Sequence, residues 1–350
     1  MQCCSSISLA EQRPWKTPFP QTGTAPWPRK PPTTGRILDS RMSDEFRLAT
    51  VDELPAVFDL RARAFKQGTA DDWAASQERD AWRAAGADLV AKSEGRVVAT
   101  VRVLARRIAG VDGELALAGF GDVASDPVVR GQGYVRRLLA LAHERNRSAG
   151  YDVALLFTRS PWVYSGSAGF AALPAWWLDI DPRRAAVPDG RWIVEPADPR
   201  RHLPWLRQVY EQFGQGRPGY PVRGDAFWTH PARLTDASWT RFAQDSGGRV
   251  MAYLRVRRTP DGRVIVQECP YVASDAVGAL MAAFGRDTDF ADCSMVGGRL
   301  PHDHVLGAAG EWSIRDNAMV HAYTEAGDRL LAHMRDPANQ RTVYWSGDSF

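Results

Sequence analysis

The chain has 350 residues, a length typical of about two globular domains. With 44% hydrophobic and 24% charged residues, it is neither a mostly disordered chain nor a small disulfide-rich scaffold. It has no run of about 18 uncharged apolar residues, so we expect no transmembrane helix and no membrane partner. The net charge of +3 comes from residues 1–41, and the near-neutral remainder predicts no nucleic-acid partner.

Residues 1–41 differ in composition from the rest of the chain. They are rich in proline and lack apolar periodicity, which predicts a disordered segment or a mis-assigned extension upstream of a true start at Met42. A targeting or partner-binding tail is the alternative. The prolines are Pro14, Pro18, Pro20, Pro26, Pro28, Pro31 and Pro32.

The metal-ligating residue types are sparse. The cysteines, which are Cys3, Cys4, Cys269 and Cys293, form no CxxC pair. We therefore expect no zinc site and a reducing, cytoplasmic compartment. His302 and His304 flank Asp303, but two histidines without a third ligand at a known spacing predict no metal.

In chain order, apolar residues first recur at helical spacing over Val51–Phe65, which predicts a helix. Two predicted strands, Leu89–Ala91 and Val97–Leu104, are joined at a Glu94–Gly95 turn. The next predicted elements are a strand over Leu115–Ala124, a helix over Gln132–Arg147 and a strand over Val153–Phe157. This order predicts an α/β (α+β) domain.

The second half of the chain repeats the pattern. A helix is predicted within Glu195–Phe213, and the segment Gly248-Arg-Val-Met-Ala-Tyr-Leu-Arg-Val256 parallels Gly95-Arg-Val-Val-Ala-Thr-Val-Arg-Val103. Farther along, Val272-Ala-Ser-Asp275 repeats Val123-Ala-Ser-Asp126. Two repeated segments in the same order predict tandem copies of one domain over 42–183 and 191–350.

The two copies differ at one loop. After Asp126 the first copy inserts Pro127-Val-Val-Arg-Gly-Gln-Gly133 before its helix, whereas the second continues into the helix Ala276–Phe284. We call residues 127–133 the glycine loop. Backbone N–H groups at a helix N-terminus bind anions, and Arg130 and Arg136 add positive charge. A plain tight turn with solvated arginines is the alternative. The GxGxxG and GxxxxGK[ST] fingerprints are absent.

The segment Val123–Arg136 resembles the acyl-CoA loop of the GCN5-related N-acetyltransferases (GNAT superfamily), whose pattern is [RQ]-x-x-G-x-[GA]. Arg130 and Gly133 match this pattern, whereas Val135 replaces the final small residue. Downstream, Tyr164 precedes Gly169-Phe170 as in the family's Tyr-x-x-x-Gly-Phe signature, with one extra residue between them. An intact copy followed by a degenerate one resembles the Eis-type acetyltransferases, without their sterol-carrier-like domain.

The resemblance implies two tandem GNAT domains, each a mixed, mainly antiparallel sheet flanked by helices, the second degenerate. It implies transfer of an acetyl group from acetyl-CoA to a primary amine, by direct attack in a ternary complex. The alternative is a non-catalytic acyl-CoA-binding or regulatory protein. The residues predicted to hold acetyl-CoA are Val123, Ala124, Ser125, Arg130, Gly131, Gln132, Gly133, Tyr134, Val135 and Arg136.

The resemblance also implies catalytic residues. Tyr164 is the candidate acid for the leaving thiolate, because a tyrosine hydroxyl can donate a proton. The candidate bases are the Phe350 carboxylate, Asp122 and Glu268. A small-molecule amine and a protein lysine both stay open as the acceptor. A monomer and a homo-oligomer both stay open as the state of the protein. Three tryptophans are predicted near the acceptor cleft or in domain packing: Trp162, Trp176 and Trp177.

Overall fold

One mixed β-sheet of 13 strands runs through both halves of the chain. The computed structural model describes residues 44–78, 86–166, 168–185, 190–198, 200–230, 239–259, 262–302 and 304–339. The strands are β1 (Glu45–Leu48), β2 (Gly86–Ser93), β3 (Arg96–Ala109), β4 (Glu114–Ser125), β5 (Val153–Thr158), β6 (Ala171–Ile180), β7 (Ile193–Pro196), β8 (Pro221–Val222), β9 (Trp239–Gln244), β10 (Val250–Arg258), β11 (Val264–Glu268), β12 (Val296–Arg299) and β13 (Gly310–Ala322). The helices are α1 (Leu54–Phe65), α2 (Ala70–Glu78), α3 (Tyr134–Ser148), α4 (Leu203–Gly214), α5 (Asp225–Trp228), α6 (Asp275–Gly285) and α7 (Glu325–Arg335).

The strand order is symmetric about its centre. It is β1-β2-β3-β4-β5-β13-β6-β12-β11-β10-β9-β7, with the short β8 paired to β3 outside this path. The pairings β4–β5 and β11–β12 are parallel, and the other described pairings are antiparallel. The second half therefore repeats the strand arrangement of the first half, which agrees with the repeat seen in the sequence.

The two halves exchange their last strands. β13, from the end of the chain, lies between β5 and β6, and β6, from the first half, lies between β13 and β12. The β13–β6 pairing runs from Gly310↔Ile180 to Val320↔Ala171. Each half therefore completes its sheet with a strand that the other half supplies. Whether 42–183 and 191–350 are separate domains stays a prediction.

Helices cover both faces of the first half of the sheet. Leu138, Leu139 and Ala142 of α3 pack on Ala118, Ala154, Leu156 and Met319. Leu330 of α7 packs on Leu117, Val153, Leu155 and Val320. Because neighbouring residues of a strand point to opposite faces, α3 and α7 lie on opposite sides of the sheet.

The predicted fold class is confirmed, as are most predicted elements of the first half. The Glu94–Gly95 turn forms with positive φ values of 51° and 76°, which suit a tight hairpin. The helix predicted within Glu195–Phe213 forms over Leu203–Gly214, and a short strand that was not predicted, Ile193–Pro196, precedes it. In the described part of the chain, no helix is both long and apolar enough to cross a membrane.

Candidate acyl-donor site

The parallel strands β4 and β5 separate near their C-terminal ends. Their described pairs run from Leu117↔Val153 to Gly119↔Leu155 and no farther, although β4 continues to Ser125. On its other edge β4 stays paired with β3 as far as Ala99↔Ser125. We call the gap beyond Gly119 and Leu155 the opening. One edge of β4 therefore faces the opening with its peptide groups.

A β-bulge marks β4 at the opening. Asp122 and Val123 together lie opposite Val101 of β3, and Asp122 has a left-handed φ of 49°. Its carboxylate lies 3.4 Å from Nη1 of Arg61 in α1 and 3.9 Å from Nη1 of Arg102 in β3. Both arginine side chains are buried. The bulge turns the strand just before Val123–Ser125, the segment predicted to pair with the donor.

The glycine loop connects β4 to the N-terminus of α3. Gly131 and Gly133 have φ values of 84° and 87°, in the left-handed region that glycine adopts without strain. The first hydrogen bond of α3 runs from the N–H of Arg137 to the carbonyl of Gly133, at 3.0 Å. The preceding N–H groups, on Tyr134, Val135 and Arg136, have no partner within the helix. This arrangement suits an anion.

Positive charge dominates the glycine loop. In the part of the chain that the structure describes, neither Arg130 nor Arg136 has an ion-pair partner. A Cβ added to Gly133 would lie 3.4 Å from Nη2 of Arg136, so that guanidinium folds back over the loop. Asp126 immediately precedes the loop, and its carboxylate accepts a 2.8 Å bond from Arg63 Nη1, which lowers the pKa of Asp126.

The side chains of Tyr134 and Val135, at the start of α3, pack against other residues of the first half. The Tyr134 hydroxyl donates to Asp44 at 3.2 Å, and its ring stacks on Phe46 at 5.9 Å. Val135 packs against the core under α3, whereas Gln132 is exposed. Position 135 therefore accommodates a valine, because the side chain packs against the core and only the backbone N–H takes part in the helix start.

Tyr164 lies in the core on the α3 side of the sheet. It follows the short helix Pro161–Val163 and is only 9% exposed. Its ring meets Phe170 edge-on at 6.2 Å, and its carbonyl accepts a 3.3 Å bond from the Phe170 N–H. Burial raises the pKa of Tyr164 to about 12, so the hydroxyl keeps its proton at neutral pH.

The three candidate bases have different positions. Phe350 lies outside the described residues. Glu268, in β11, is only 1% exposed and is the acceptor for Tyr253 Oη at 2.6 Å and Arg223 Nη1 at 2.8 Å. This buried cluster belongs to the second half and does not favour Glu268 as a base, an interpretation that stays a prediction. Asp122 does lie at the opening, where its carboxylate is paired with Arg61 and Arg102.

The corresponding cleft of the second half is filled by the chain itself. β11 and β12 share one described pair, Ile265↔Gly297. Beyond it, the Cys269 carbonyl lies 2.8 Å from Nε2 of His304, and this ring packs on Tyr271 at 5.3 Å. α6 also begins with the acidic Asp275 in its first turn. Of these two corresponding helices, only α3 therefore begins without an acidic residue in its first turn.

The remaining predicted residues lie elsewhere. His302 stacks on Trp176 at 4.2 Å, and Asp303 is outside the described residues. Within the described ranges, no three His, Cys, Asp or Glu side chains gather as a metal site. Trp162 is 69% exposed, and Trp177 donates its Nε1–H to Asp179 at 3.0 Å.

One buried polar cluster was not predicted from the sequence. His143, in the middle of α3, lies 2.7 Å through Nδ1 from the Tyr323 hydroxyl, which also accepts from Asn146 at 3.1 Å. The His321 ring lies 4.5 Å from the ring of His143. Burial, with His321 nearby, lowers the pKa of His143 to about 4. The partners are about 180 residues apart in the chain, so no local pattern joins them.

Comparison with known proteins agrees with this geometry. Residues 45–171 match the family model described as Acetyltransferase (GNAT) domain. Over residues 45–171 the chain is therefore similar to a GNAT acetyltransferase domain. The matched span of the GNAT domain contains the opening, the glycine loop, α3 and Tyr164.

The relatives cover different shares of the chain. The N-acetyltransferase Eis of Mycobacterium bovis is 29% identical over 195 residues, which are 51% of this chain and 47% of that protein. The chain thus spans about half the length of the curated relatives it matches. A GCN5-related N-acetyltransferase from Kribbella flavida superposes with a TM-score of 0.65 at 17% identity, covering 81% of this chain and 72% of the other. A tandem GNAT protein from the clavulanic acid biosynthesis pathway superposes with a TM-score of 0.54 at 16% identity, covering 81% of this chain and 99% of the other. At these identities the structures show the fold alone.

Proposed function

We propose that the protein is an N-acetyltransferase that moves an acetyl group from acetyl-CoA to a primary amine, with its catalytic site in the first half. One observation carries the proposal. An open edge of β4 at Val123–Ser125 leads directly into the positively charged glycine loop at the start of α3. A single extended donor with an amide-rich arm and a pyrophosphate fits both features.

The fit follows from the chemistry of the donor. The peptide groups of Val123–Ser125 are available to pair with the amides of the pantetheine arm, as an added strand does. The N–H groups from Gly131 to Arg136 and the guanidinium groups of Arg130 and Arg136 complement the pyrophosphate. A backbone N–H near Ser125 would polarise the thioester carbonyl.

The proposed reaction is a direct transfer. The neutral amine attacks the thioester carbonyl, a C–N bond forms, and the C–S bond breaks. The sulfur leaves as a thiolate and takes the proton that the Tyr164 hydroxyl carries at neutral pH. A base must take the proton of the amine. Asp122 and the Phe350 carboxylate are the two proposed candidates.

The first test is donor binding by the full chain. Acetyl-CoA at about 100 times its Kd raises the unfolding free energy by about 2.7 kcal/mol, which is several degrees in Tm. We expect this shift in the wild type and its loss in Arg130→Glu. Arg145→Glu, an exposed position near the other end of α3, is the matched control and should keep the shift. No shift in the wild type would contradict the proposal.

The second test separates catalysis from binding. Tyr164→Phe removes the hydroxyl and keeps the ring that packs on Phe170. We expect CoA release with an amine acceptor to fall by about 10²- to 10⁴-fold while donor binding is retained. If the wild type binds acetyl-CoA but acetylates no amine, the protein is instead a non-catalytic acyl-CoA-binding protein.

A further inference from the structure

The turn that carries Tyr164 lies between the end of β5 and the start of β6. We call it the tyrosine turn; its described residues are 161–166 and 168–170. The turn folds back on itself, because the Phe170 N–H donates to the Tyr164 carbonyl at 3.3 Å and the two rings meet edge-on. The position of the Tyr164 hydroxyl therefore depends on how this turn is attached to the rest of the molecule.

A histidine of the last strand binds the tyrosine turn. His321 follows Val320 on β13, and Val320↔Ala171 is the last described pair between β13 and β6. Just beyond that pair, Nδ1 of His321 lies 2.9 Å from the carbonyl oxygen of Gly169. Because a carbonyl can only accept a hydrogen bond, the imidazole Nδ1–H is the donor. The side chain thus attaches β13 to the turn where the described backbone pairs end.

The backbone at Gly169 suits this contact. Gly169 has a φ of 68°, in the left-handed region that glycine adopts without strain. A Cβ built on it would lie 3.1 Å from Nδ1 and 3.3 Å from Cε1 of His321. The imidazole therefore lies directly against the Gly169 backbone, and a side chain at this position would push the ring away from the carbonyl.

Three rings surround the imidazole of His321. The ring centroids of His143, Tyr323 and Phe170 lie 4.5, 4.8 and 5.9 Å from its own centroid. His143 and Tyr323 are themselves joined through the 2.7 Å contact between Nδ1 and the hydroxyl. A side chain packed in this way has little freedom to change its rotamer, so His321 presents a fixed donor to the tyrosine turn.

We propose that His321 is a positioning residue for Tyr164. Its hydrogen bond to Gly169 holds the tyrosine turn, and with it the hydroxyl that gives its proton to the leaving thiolate. The inference rests on the proposed function, in which Tyr164 is the acid. Because His321 belongs to β13, the second half would contribute to catalysis in the first half through this turn. A displacement of about 1 Å at a reacting group is enough to slow a reaction about 10²-fold.

The test removes the hydrogen bond and keeps the bulk of the side chain. In the full chain, His321→Leu fills a similar volume and cannot donate to the Gly169 carbonyl. Cadaverine, phenethylamine and L-lysine are the probe acceptors, and CoA release with the best of the three gives kcat and KM. We expect kcat to fall about 10- to 100-fold. The KM for acetyl-CoA should change by less than about threefold, because the glycine loop is left intact.

Two further variants control the interpretation. In His321→Asn the amide nitrogen takes nearly the place of Nδ1 and can donate to the same carbonyl, so kcat should return to within about threefold of the wild type. His333→Leu makes the same exchange of side chains in the last turn of α7, away from the tyrosine turn, and should keep the wild-type kcat.

A double-mutant cycle separates positioning from a general structural role. If His321 acts through Tyr164, adding His321→Leu to Tyr164→Phe should lower kcat by no more than about twofold. A substitution that only weakens the fold would lower kcat by the same factor in both backgrounds.

Hydrogen exchange followed by mass spectrometry gives a readout that needs no acceptor. Amides of the tyrosine turn should exchange about tenfold faster in His321→Leu than in the wild type, because the turn has lost its attachment to β13. Amides of the glycine loop should exchange at the wild-type rate, and His321→Asn should restore the protection of the tyrosine turn.

Two results would overturn the inference. One is a His321→Leu protein that keeps the wild-type kcat. The other is an equal loss of kcat in the wild-type and Tyr164→Phe backgrounds. Failure of the proposed function looks different: no probe amine releases CoA from the wild type, or Tyr164→Phe keeps the full kcat, whereas the exchange difference at the tyrosine turn remains.

Discussion

A single histidine shows how burial sets a charge state. His143 occupies the middle of α3, where the sequence places it beside the core-facing Ala142. In the structure it packs against Phe120 and Phe170 and meets the Tyr323 hydroxyl. Burial disfavours the charged imidazolium, so the pKa of His143 falls from 6.5 to about 4.

This burial makes stability depend on pH. Between pH 6.5 and pH 4 the unfolded chain binds a proton at His143 and the folded chain does not, so stability falls as the pH is lowered through this window. From pH 7 to pH 5 we expect His143 to account for a loss of about 2 kcal/mol in the free energy of unfolding. Urea denaturation at a series of pH values measures this loss in the free energy of unfolding.

The variant His143→Phe isolates this effect. Phenylalanine keeps the aromatic packing and cannot bind a proton, so the loss between pH 7 and pH 5 should shrink by about 2 kcal/mol. His333→Gln, in the last turn of α7, should retain the wild-type slope. Equal slopes for the wild type and His143→Phe would show that His143 is not held neutral by burial.

Two of the candidate bases, Asp122 and Glu268, show what sequence reasoning lacks for single residues. Sequence reasoning offered Asp122 and Glu268 alike as candidate bases, because both are acidic residues and the pattern does not separate them. The structure separates them, because Glu268 is enclosed by Arg223 and Tyr253 while Asp122 borders the opening. Which arginines surround an acid depends on strands that pair across the sheet.

Among the elements, the glycine loop with α3 is the one that the sequence predicted best. Its positive-φ glycines, its helix start and its basic residues lie within about a dozen consecutive positions. Local backbone conformation determines such a feature, so the order of residues is enough to predict it. The opening is different, because it requires β4 and β5 to pair and then separate.

The second half has the corresponding strands and helix, but it lacks the glycine loop and the open strand edge. His304 and Tyr271 occupy the region beyond the single β11–β12 pair, and Asp275 opens α6. We therefore expect one acetyl-CoA per chain by calorimetric titration. Because the proposed site is in the first half, Arg130→Glu should remove all binding.

A stoichiometry of two would contradict this assignment. So would an Arg130→Glu protein that keeps one equivalent of acetyl-CoA. His304→Gln provides a control in the second half, since it alters the filled cleft and should leave the stoichiometry at one.

At the scale of the whole molecule, the exchanged strands join the two halves. β13 pairs with β5 from Asn317↔Thr158 to Ala322↔Val153. If the end of the chain were removed, the first half would therefore lose the strand that pairs with β5. A fragment of residues 42–183 would leave an edge of β5 and both edges of β6 unpaired. Unpaired apolar strand edges cause aggregation.

We expect the fragment 42–183 to be insoluble when expressed alone and to be rescued by co-expression with 190–350. Soluble yield and size-exclusion chromatography measure both outcomes. The full chain serves as the reference for the retention volume. A 42–183 fragment that is monomeric, folded and able to bind acetyl-CoA would show that the first half does not need β13.

Local sequence patterns were enough to predict the fold class, the internal repeat and the glycine loop of the intact copy. Each of these is written in local patterns: apolar periodicity, repeated segments and glycines at a strand-to-helix junction. The tertiary structure alone decided that the halves exchange β6 and β13, that the second cleft is filled, and that Arg299 stacks on Phe157. These features depend on contacts between residues far apart in the chain, 35 positions for Cys269 and His304 and more than 100 for the other two, and no local preference of the chain specifies them.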